Sequence, residues 1–205
     1  MRLHAPVTID SATTTTFSVD TELLLEKGIK SGSTPRSVAF EVNGGAIATI
    51  NALPDGTTSI FSGVDFRPTP GSEGAKVILA TNIKTTTTTG LIKINLPLYL
   101  AADTKLETSG SGTVQLGAAG SIQSLDRLKP SKLTVASTQF QLSGTIGDEN
   151  PLSSMAIVGG IKTLAATSIT TVGDIIQSGS TSNIQITGRL GATSQSGNIK
   201  LPNFF

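Results

Sequence analysis

The residues that could carry out acid–base chemistry are few and dispersed. Of the 14 acidic residues, one adjacent pair, Asp148 and Glu149, lies in a Gly-Asp-Glu-Asn-Pro segment typical of a turn. Asp103 and Glu107 would share one face of a strand, but about 13 Å apart, whereas glycoside hydrolysis needs two carboxylates that flank one bond. We therefore predict that these acidic side chains are solvated charges without a catalytic role.

Nucleophilic and metal chemistry also lacks its usual residues. His4 is the single histidine and is the fourth residue of the sequence, and the chain has no cysteine. The sequence contains no nucleophile elbow, no phosphate-binding loop and no dinucleotide fingerprint, although it has 22 glycines. We predict no catalytic, cofactor-binding or metal-binding residues, and therefore a protein that is not an enzyme.

The charge balance gives no reason to expect a nucleic-acid partner, because the formal net charge is +1 and charged residues make up 14% of the chain. The densest basic group, Arg127, Lys129 and Lys132 around Pro130, is interpreted as an exposed corner that only weakly indicates an anionic glycan. The most apolar run, residues 91–102, contains Lys93 and is too short for a membrane-spanning helix. We expect no membrane insertion.

Threonine is concentrated in two runs, residues 13–16 and 85–89. Regular Thr-x-Thr arrays on a flat face can bind ice, but consecutive threonines alternate between both faces of a strand. Strand propensity and outward hydroxyl ladders explain the runs better.

The elements that carry these residues are predicted to be short strands. Apolar positions alternate with Thr, Ser, Asn, Gln or Lys, and glycine interrupts the pattern every few residues. Residues 21–27 are the one stretch where a short helix is conceivable, and strand or loop is slightly favoured there. Residues 54–74 are rich in proline and turn residues, so we expect a loop or irregular coil that leaves the regular stack. The fold is either a β-solenoid or, as the alternative, a β-sandwich.

Internal repetition favours the solenoid. Val114-Gln115-Leu116 is echoed by Phe140-Gln141-Leu142, and each copy is followed by a glycine-rich corner and an isoleucine, Ile122 and Ile146. Such recurrence is typical of coils that bury their apolar faces by stacking. The inward-facing residues are predicted to be Val114, Leu116, Ile122, Leu133, Val135, Phe140, Leu142, Ile146, Ile157, Ile169, Ile175, Ile184 and Ile186.

These repeats carry a family resemblance. Residues 98–122, 137–160 and 168–188 resemble the β-strand repeats of filamentous-haemagglutinin-like adhesins and autotransporter passenger domains, which are bacterial surface exoproteins. The resemblance implies a right-handed parallel β-helix exported to the cell surface, with a role in adhesion or matrix building. No export signal, N-terminal secretion motif or C-terminal barrel is recognisable, so residues 1–205 are expected to form one solenoid domain, either an excerpt of a longer repeat protein or a short relative.

The expected function is that of an extracellular structural or adhesive segment that assembles end to end or continues into a larger chain. Open sheet edges invite pairing with another chain. Ile199, Leu201, Phe204 and Phe205 are the expected assembly contacts, and a host or matrix glycan or protein is a further candidate partner. The alternatives are a carbohydrate-binding or carbohydrate-active β-helix of the tailspike type and, less favoured, an ice-binding solenoid.

Overall fold

The protein is built from β-strands. The computed structural model describes residues 1–117, 120–178 and 185–200. The chain is 54% strand, and the described residues contain no helix. The strands are β1 (Arg2–Leu3), β2 (Val7–Ile9), β3 (Thr15–Val19), β4 (Glu22–Leu25), β5 (Ile29–Ser31), β6 (Ser37–Val42), β7 (Ile47–Ile50), β8 (Ser59–Phe61), β9 (Gly63–Pro68), β10 (Lys76–Leu79), β11 (Ile83–Thr85), β12 (Leu91–Ile94), β13 (Leu98–Leu100), β14 (Thr104–Thr108), β15 (Thr113–Leu116), β16 (Ser121–Ser124), β17 (Leu133–Leu142), β18 (Thr145–Ile146), β19 (Met155–Thr171), β20 (Ile175–Ser178), β21 (Gln185–Ser194) and β22 (Ile199–Lys200).

The strands stack as a parallel β-solenoid of about seven turns. Up to β16, nearly every strand pairs with the third strand along the chain, as β4 does with β7 and β7 with β10. Every pairing among the described strands is parallel, whereas hairpins in a sandwich would pair antiparallel strands. The solenoid prediction is therefore confirmed and the β-sandwich alternative is wrong.

The pairing pattern defines three faces of the solenoid. Face 1 contains β1, β4, β7, β10, β13, β16, β18 and the last parts of β19 and β21. Face 2 contains β2, β5, β8, β11, β14, the first parts of β17 and β19, β20 and β22. Face 3 contains β3, β6, β9, β12, β15, the second part of β17, the middle of β19 and the start of β21. The long strands β17, β19 and β21 thus bend around corners.

The strand register follows the repeat found in the sequence. Val114 lies opposite Phe140, and Leu116 lies opposite Leu142. Ile122 on β16 lies opposite Ile146 on β18, on face 1 of the same two coils. The echo in the sequence therefore marks successive coils in the structure.

The interior is filled by the residues that alternate with polar ones. Eleven of the predicted core residues are at most 1% exposed, namely Val114, Leu116, Ile122, Leu133, Val135, Phe140, Leu142, Ile146, Ile157, Ile169 and Ile175. Ile184 and the side chain of Ile186 lie outside what the structure describes. The larger gaps are filled by phenylalanine, and Phe17, Phe40 and Phe66 stack across three coils with centroid spacings of 5.2 and 5.1 Å.

The expectation that residues 54–74 leave the regular stack is wrong. This interval contains β8 and β9, both within the stack, so the irregular backbone is confined to the turns on either side. Pro68 lies at the last position of β9, where proline is tolerated, and the density of prolines concealed the inward alternation of Val64 and Phe66. In residues 21–27 the chain forms strand β4, because Leu23 and Leu25 alternate inward.

Candidate functional site

The two acidic pairs singled out in the sequence, Asp148 with Glu149 and Asp103 with Glu107, contact different neighbours in the structure. Asp148 and Glu149 are exposed in a turn, where Asp148 accepts a hydrogen bond from the hydroxyl of Ser168 and the backbone N–H of Glu149 donates to Gln123. Asp103 accepts the backbone N–H of Lys132, whereas Glu107 binds two lysines. The carboxylates of Asp148, Asp103 and Glu107 therefore each bind a different partner, whereas Glu149 is held through its backbone N–H.

Glu107 is the centre of an ion cluster on face 2. Its carboxylate binds the ammonium of Lys84 in the preceding coil at 2.6 Å and that of Lys105 on the same strand. The hydrogen bond from Lys105, followed by that from Lys84, lowers the pKa of Glu107. A second cluster, on face 3, joins Arg67 to Glu41 of the preceding coil and to Asp65. Both clusters connect neighbouring coils across the outer surface.

The Glu107 cluster predicts a pH dependence of stability. Because its pKa is lowered in the folded state, Glu107 stabilises the fold above the unfolded-state pKa of about 4.3, and this contribution disappears as the pH falls through the lower folded-state value. The pairs are partly exposed, so we expect about 0.5–1 kcal/mol at low salt. Urea unfolding from pH 6 to 3 should be less pH-dependent in Glu107→Gln than in the Glu22→Gln control. Identical profiles would contradict the prediction.

His4 lies at the exposed first coil. Its Nδ1 is 2.5 Å from Glu26, which also contacts Arg2 at 3.5 Å. No serine is bonded to the imidazole among the described residues. The pair ties the first strand segment to the second coil, and the arrangement is not that of a hydrolytic triad.

A set of side chains that was not predicted from the sequence lies where the chain enters face 2. We call these side chains polar caps because each accepts a backbone N–H group. The side-chain oxygens of Asn82, Asp103 and Asp174 accept backbone N–H groups of the following coil at 2.7, 2.8 and 2.7 Å; the donors are Lys105, Lys132 and Asn198. All three acceptors immediately precede a face 2 strand. An Asn or Asp just before each such strand is the signal that could have revealed them.

These caps predict a stability effect that depends on the acceptor oxygen. Asp103→Ala should lower the free energy of unfolding by about 1–2 kcal/mol, because the N–H of Lys132 loses its partner at a corner. Asp103→Asn should keep most of the stability, since Asn82 fills the same role. Asp126→Ala is the control, because Asp126 bonds only within its own loop, to Leu128. Equal losses for all three variants in urea unfolding would contradict this role.

The threonine runs do not form a flat array. Thr15 and Thr16 begin β3, whereas Thr85 is buried at the end of β11 and residues 86–89 form an exposed turn. The two runs therefore occupy different faces and different local structures. This placement disfavours an ice-binding surface.

The basic corner is exposed, as expected from the sequence. Arg127, Lys129 and Lys132 lie on the segment between β16 and β17, together with Leu128, which is 91% exposed. The base of this loop is fixed where the N–H of Ser131 donates to the hydroxyl of Ser124 at 2.9 Å. The loop is a protrusion rather than a pocket.

A more enclosed feature is a notch of ≈ 510 Å³ that we call the Lys30 notch, where face 2 meets two protruding turns. Ile60, 40% exposed, projects outward from β8, Pro35 adds further apolar surface, and the buried Leu53 lies at the base. Lys30 lines one side and makes no ion pair closer than 4 Å with any described residue. Hydroxyls complete the lining, from Ser33, Thr57, Thr58 and Thr86.

The candidate assembly contacts are only partly visible. Ile199 is 45% exposed on β22, which pairs on one side with β20. Leu201, Phe204 and Phe205 lie outside the described residues. At the other end of the solenoid, β1, β2 and β3 each pair on one side with a described strand, and Leu3, Val7 and Phe17 are partly buried there.

The described residues contain no cluster of three or more His, Cys, Asp or Glu residues that could hold a metal ion. They also form no helix with the length and apolarity to cross a membrane.

Comparisons of the chain with protein-family models, curated proteins and solved structures found no match. The structure identifies the chain as a parallel β-solenoid, compatible with a β-helix repeat protein.

Proposed function

We propose that the chain is a structural and adhesive segment of an extracellular β-solenoid, which extends a surface fibre or matrix by joining its ends to further strands. The observation that carries the proposal is the end formed by β1, β2 and β3. Each of these strands has one unpaired edge among the described strands, and Leu3, Val7 and Phe17 leave apolar surface on the same end. Unpaired edges with adjacent apolar side chains are suited to strand addition.

The occupant of this end is either a second copy or a further coil of the same polypeptide. Both would continue the parallel ladders and cover the ring of Phe17, the first of the stacked phenylalanines. The side chains that point outward from the faces include Thr, Lys, Gln and paired charges together with apolar residues such as Leu24, Ile78 and Tyr99. This surface suits extension and presentation better than catalysis. Cell-surface location is part of the proposal and is supported by the resemblance to bacterial exoprotein repeats.

The proposal is tested by the association state of the chain. We expect light scattering to show concentration-dependent growth and electron microscopy to show filaments with the width of one solenoid. Phe17→Lys should abolish growth, whereas Ser18→Lys, on the outer side of the same strand, should not. A version truncated after Leu201 tests the contribution of Phe204 and Phe205. An intact chain that remains monomeric at all micromolar concentrations would contradict end-to-end assembly.

The carbohydrate-binding alternative is favoured by one separate observation, the Lys30 notch. Its combination of apolar surface, hydroxyls and one cation occurs on a side face, away from the strand ends. Glycan binding there is compatible with assembly through the ends.

A further inference from the structure

We propose that the Lys30 notch binds an acidic sugar residue that carries an acetamido group, the chemistry of the sialic acids. The inference rests on the proposed adhesive function and supplies a ligand class for it. Its site lies on the lateral surface, so it can be tested without assembly.

The first argument is the shape of the notch. One wall is the turn that follows β5, with Ser33 and Pro35; a second is the loop before β8, with Leu53 and Thr57; Thr86 of the turn after β11 also lines it. The coil that lies between the turn after β5 and the turn after β11 connects β8 to β9 through the single residue 62. This short connection leaves a gap between the longer turns. Its volume of ≈ 510 Å³ suits one sugar residue and is too small for a protein surface.

The second argument is the charge. Lys84 lies directly opposite Ile60 but is bound to Glu107, so its charge is already paired. Lys30 is exposed and has no such partner among the described residues. Asp55 is also near the notch, but its pKa is lowered mainly by the hydrogen bonds that its Oδ1 accepts from the hydroxyl and the N–H of Thr57, at 2.7 and 3.0 Å. The charge of Lys30 is the smallest cause of that lowering, and the two side chains form no ion pair within 4 Å. Lys30 therefore remains available for the carboxylate of a ligand.

The third argument is the balance of apolar and polar surface. The exposed apolar surface of the notch comes from Ile60 and Pro35, which are aliphatic, and the notch has no aromatic ring on which the face of a sugar could stack. The apolar group of the ligand must therefore be small, as is the methyl of an acetamido group. The hydroxyls of Ser33, Thr58 and Thr86 can donate to and accept from sugar hydroxyls.

The test is a titration of the isotope-labelled chain with the methyl glycoside of N-acetylneuraminic acid, at protein concentrations below the onset of assembly. We expect millimolar binding with amide shifts at Lys30, Ile60 and Thr86. N-acetylglucosamine lacks the carboxylate and methyl glucuronide lacks the acetamido group, so each should bind at least tenfold more weakly. Binding should also weaken as salt is raised.

Variants separate the two contributions. Lys30→Gln should weaken binding at least tenfold, Lys30→Arg should retain most of it, and Ile60→Thr should lose the preference for the acetamido sugar. Lys129→Gln, on the distant basic loop, is the matched control and should bind normally. No shifts at millimolar sugar, or equal binding by Lys30→Gln and the parent chain, would overturn the inference. That result would leave end-to-end assembly untouched, because assembly is measured separately by light scattering.

Discussion

Replacing Phe40 with alanine is expected to lower the free energy of unfolding by about 4–5 kcal/mol. Phe40 is 1% exposed and stacks on Phe17 in the preceding coil and on Phe66 in the following one, with interplanar angles of 13° and 15°. Removal of the Phe40 ring creates a cavity and also removes its stacking contacts with Phe17 and Phe66. Neighbouring coils are the source of nearly all contacts in a solenoid, so the loss should be greatest in the first three coils.

The matched control is Phe17→Ala at the end of the same stack. Phe17 is only half-buried and contacts one ring, so its replacement should cost about 1–2 kcal/mol. Urea unfolding gives the total loss, and hydrogen exchange shows which coils open. If both variants lost the same stability, the stack would not contribute in the way that the structure indicates.

The sequence predicted those parts of the fold that depend on alternation and repetition. The phrase at Val114 and its echo at Phe140 identified two coils and their register, because inward positions must recur with the coil. The sequence did not predict β8 and β9, because Pro54, Pro68 and Pro70 suggested a loop. In the structure these prolines lie at the end of a strand or outside the strands. Proline is informative about strand ends only when the register of the neighbouring coil is known.

The candidate sites were less predictable because they are formed between coils. Lys30, Ile60 and Thr86 belong to three separate coils, and no sequence motif connects them. Lys84 is paired with Glu107 whereas Lys30 forms no ion pair with a described residue, and this difference arises only when the coils stack. Pairwise spacing in the sequence predicted a large separation between Asp103 and Glu107, but it could not reveal their partners in adjacent coils, the N–H of Lys132 and the ammonium of Lys84.

Gly147 is a glycine at which substitution is predicted to push two neighbouring coils apart. Its φ is +70°, and an added Cβ would lie 2.1 Å from the backbone oxygen of Thr170 in the next coil. The same residue donates its N–H to Ile122 of the preceding coil at 2.7 Å, so it cannot move away freely. Gly147→Ala should therefore cost about 3 kcal/mol or more, from the left-handed backbone and from the displacement of the coil.

Gly45→Ala isolates the part of this cost that comes from the coil contact. Gly45 has nearly the same φ, +72°, but an added Cβ would meet nothing within 4 Å. The left-handed conformation costs an alanine about 1–2 kcal/mol. Alanine also restricts the unfolded chain, which offsets part of that cost, so the free energy of unfolding should fall by about 1 kcal/mol. Urea unfolding of both variants should show a clearly larger loss for Gly147→Ala. Equal losses would mean that the coils around Gly147 are not packed as closely as the structure shows, because the backbone strain is the same at both positions.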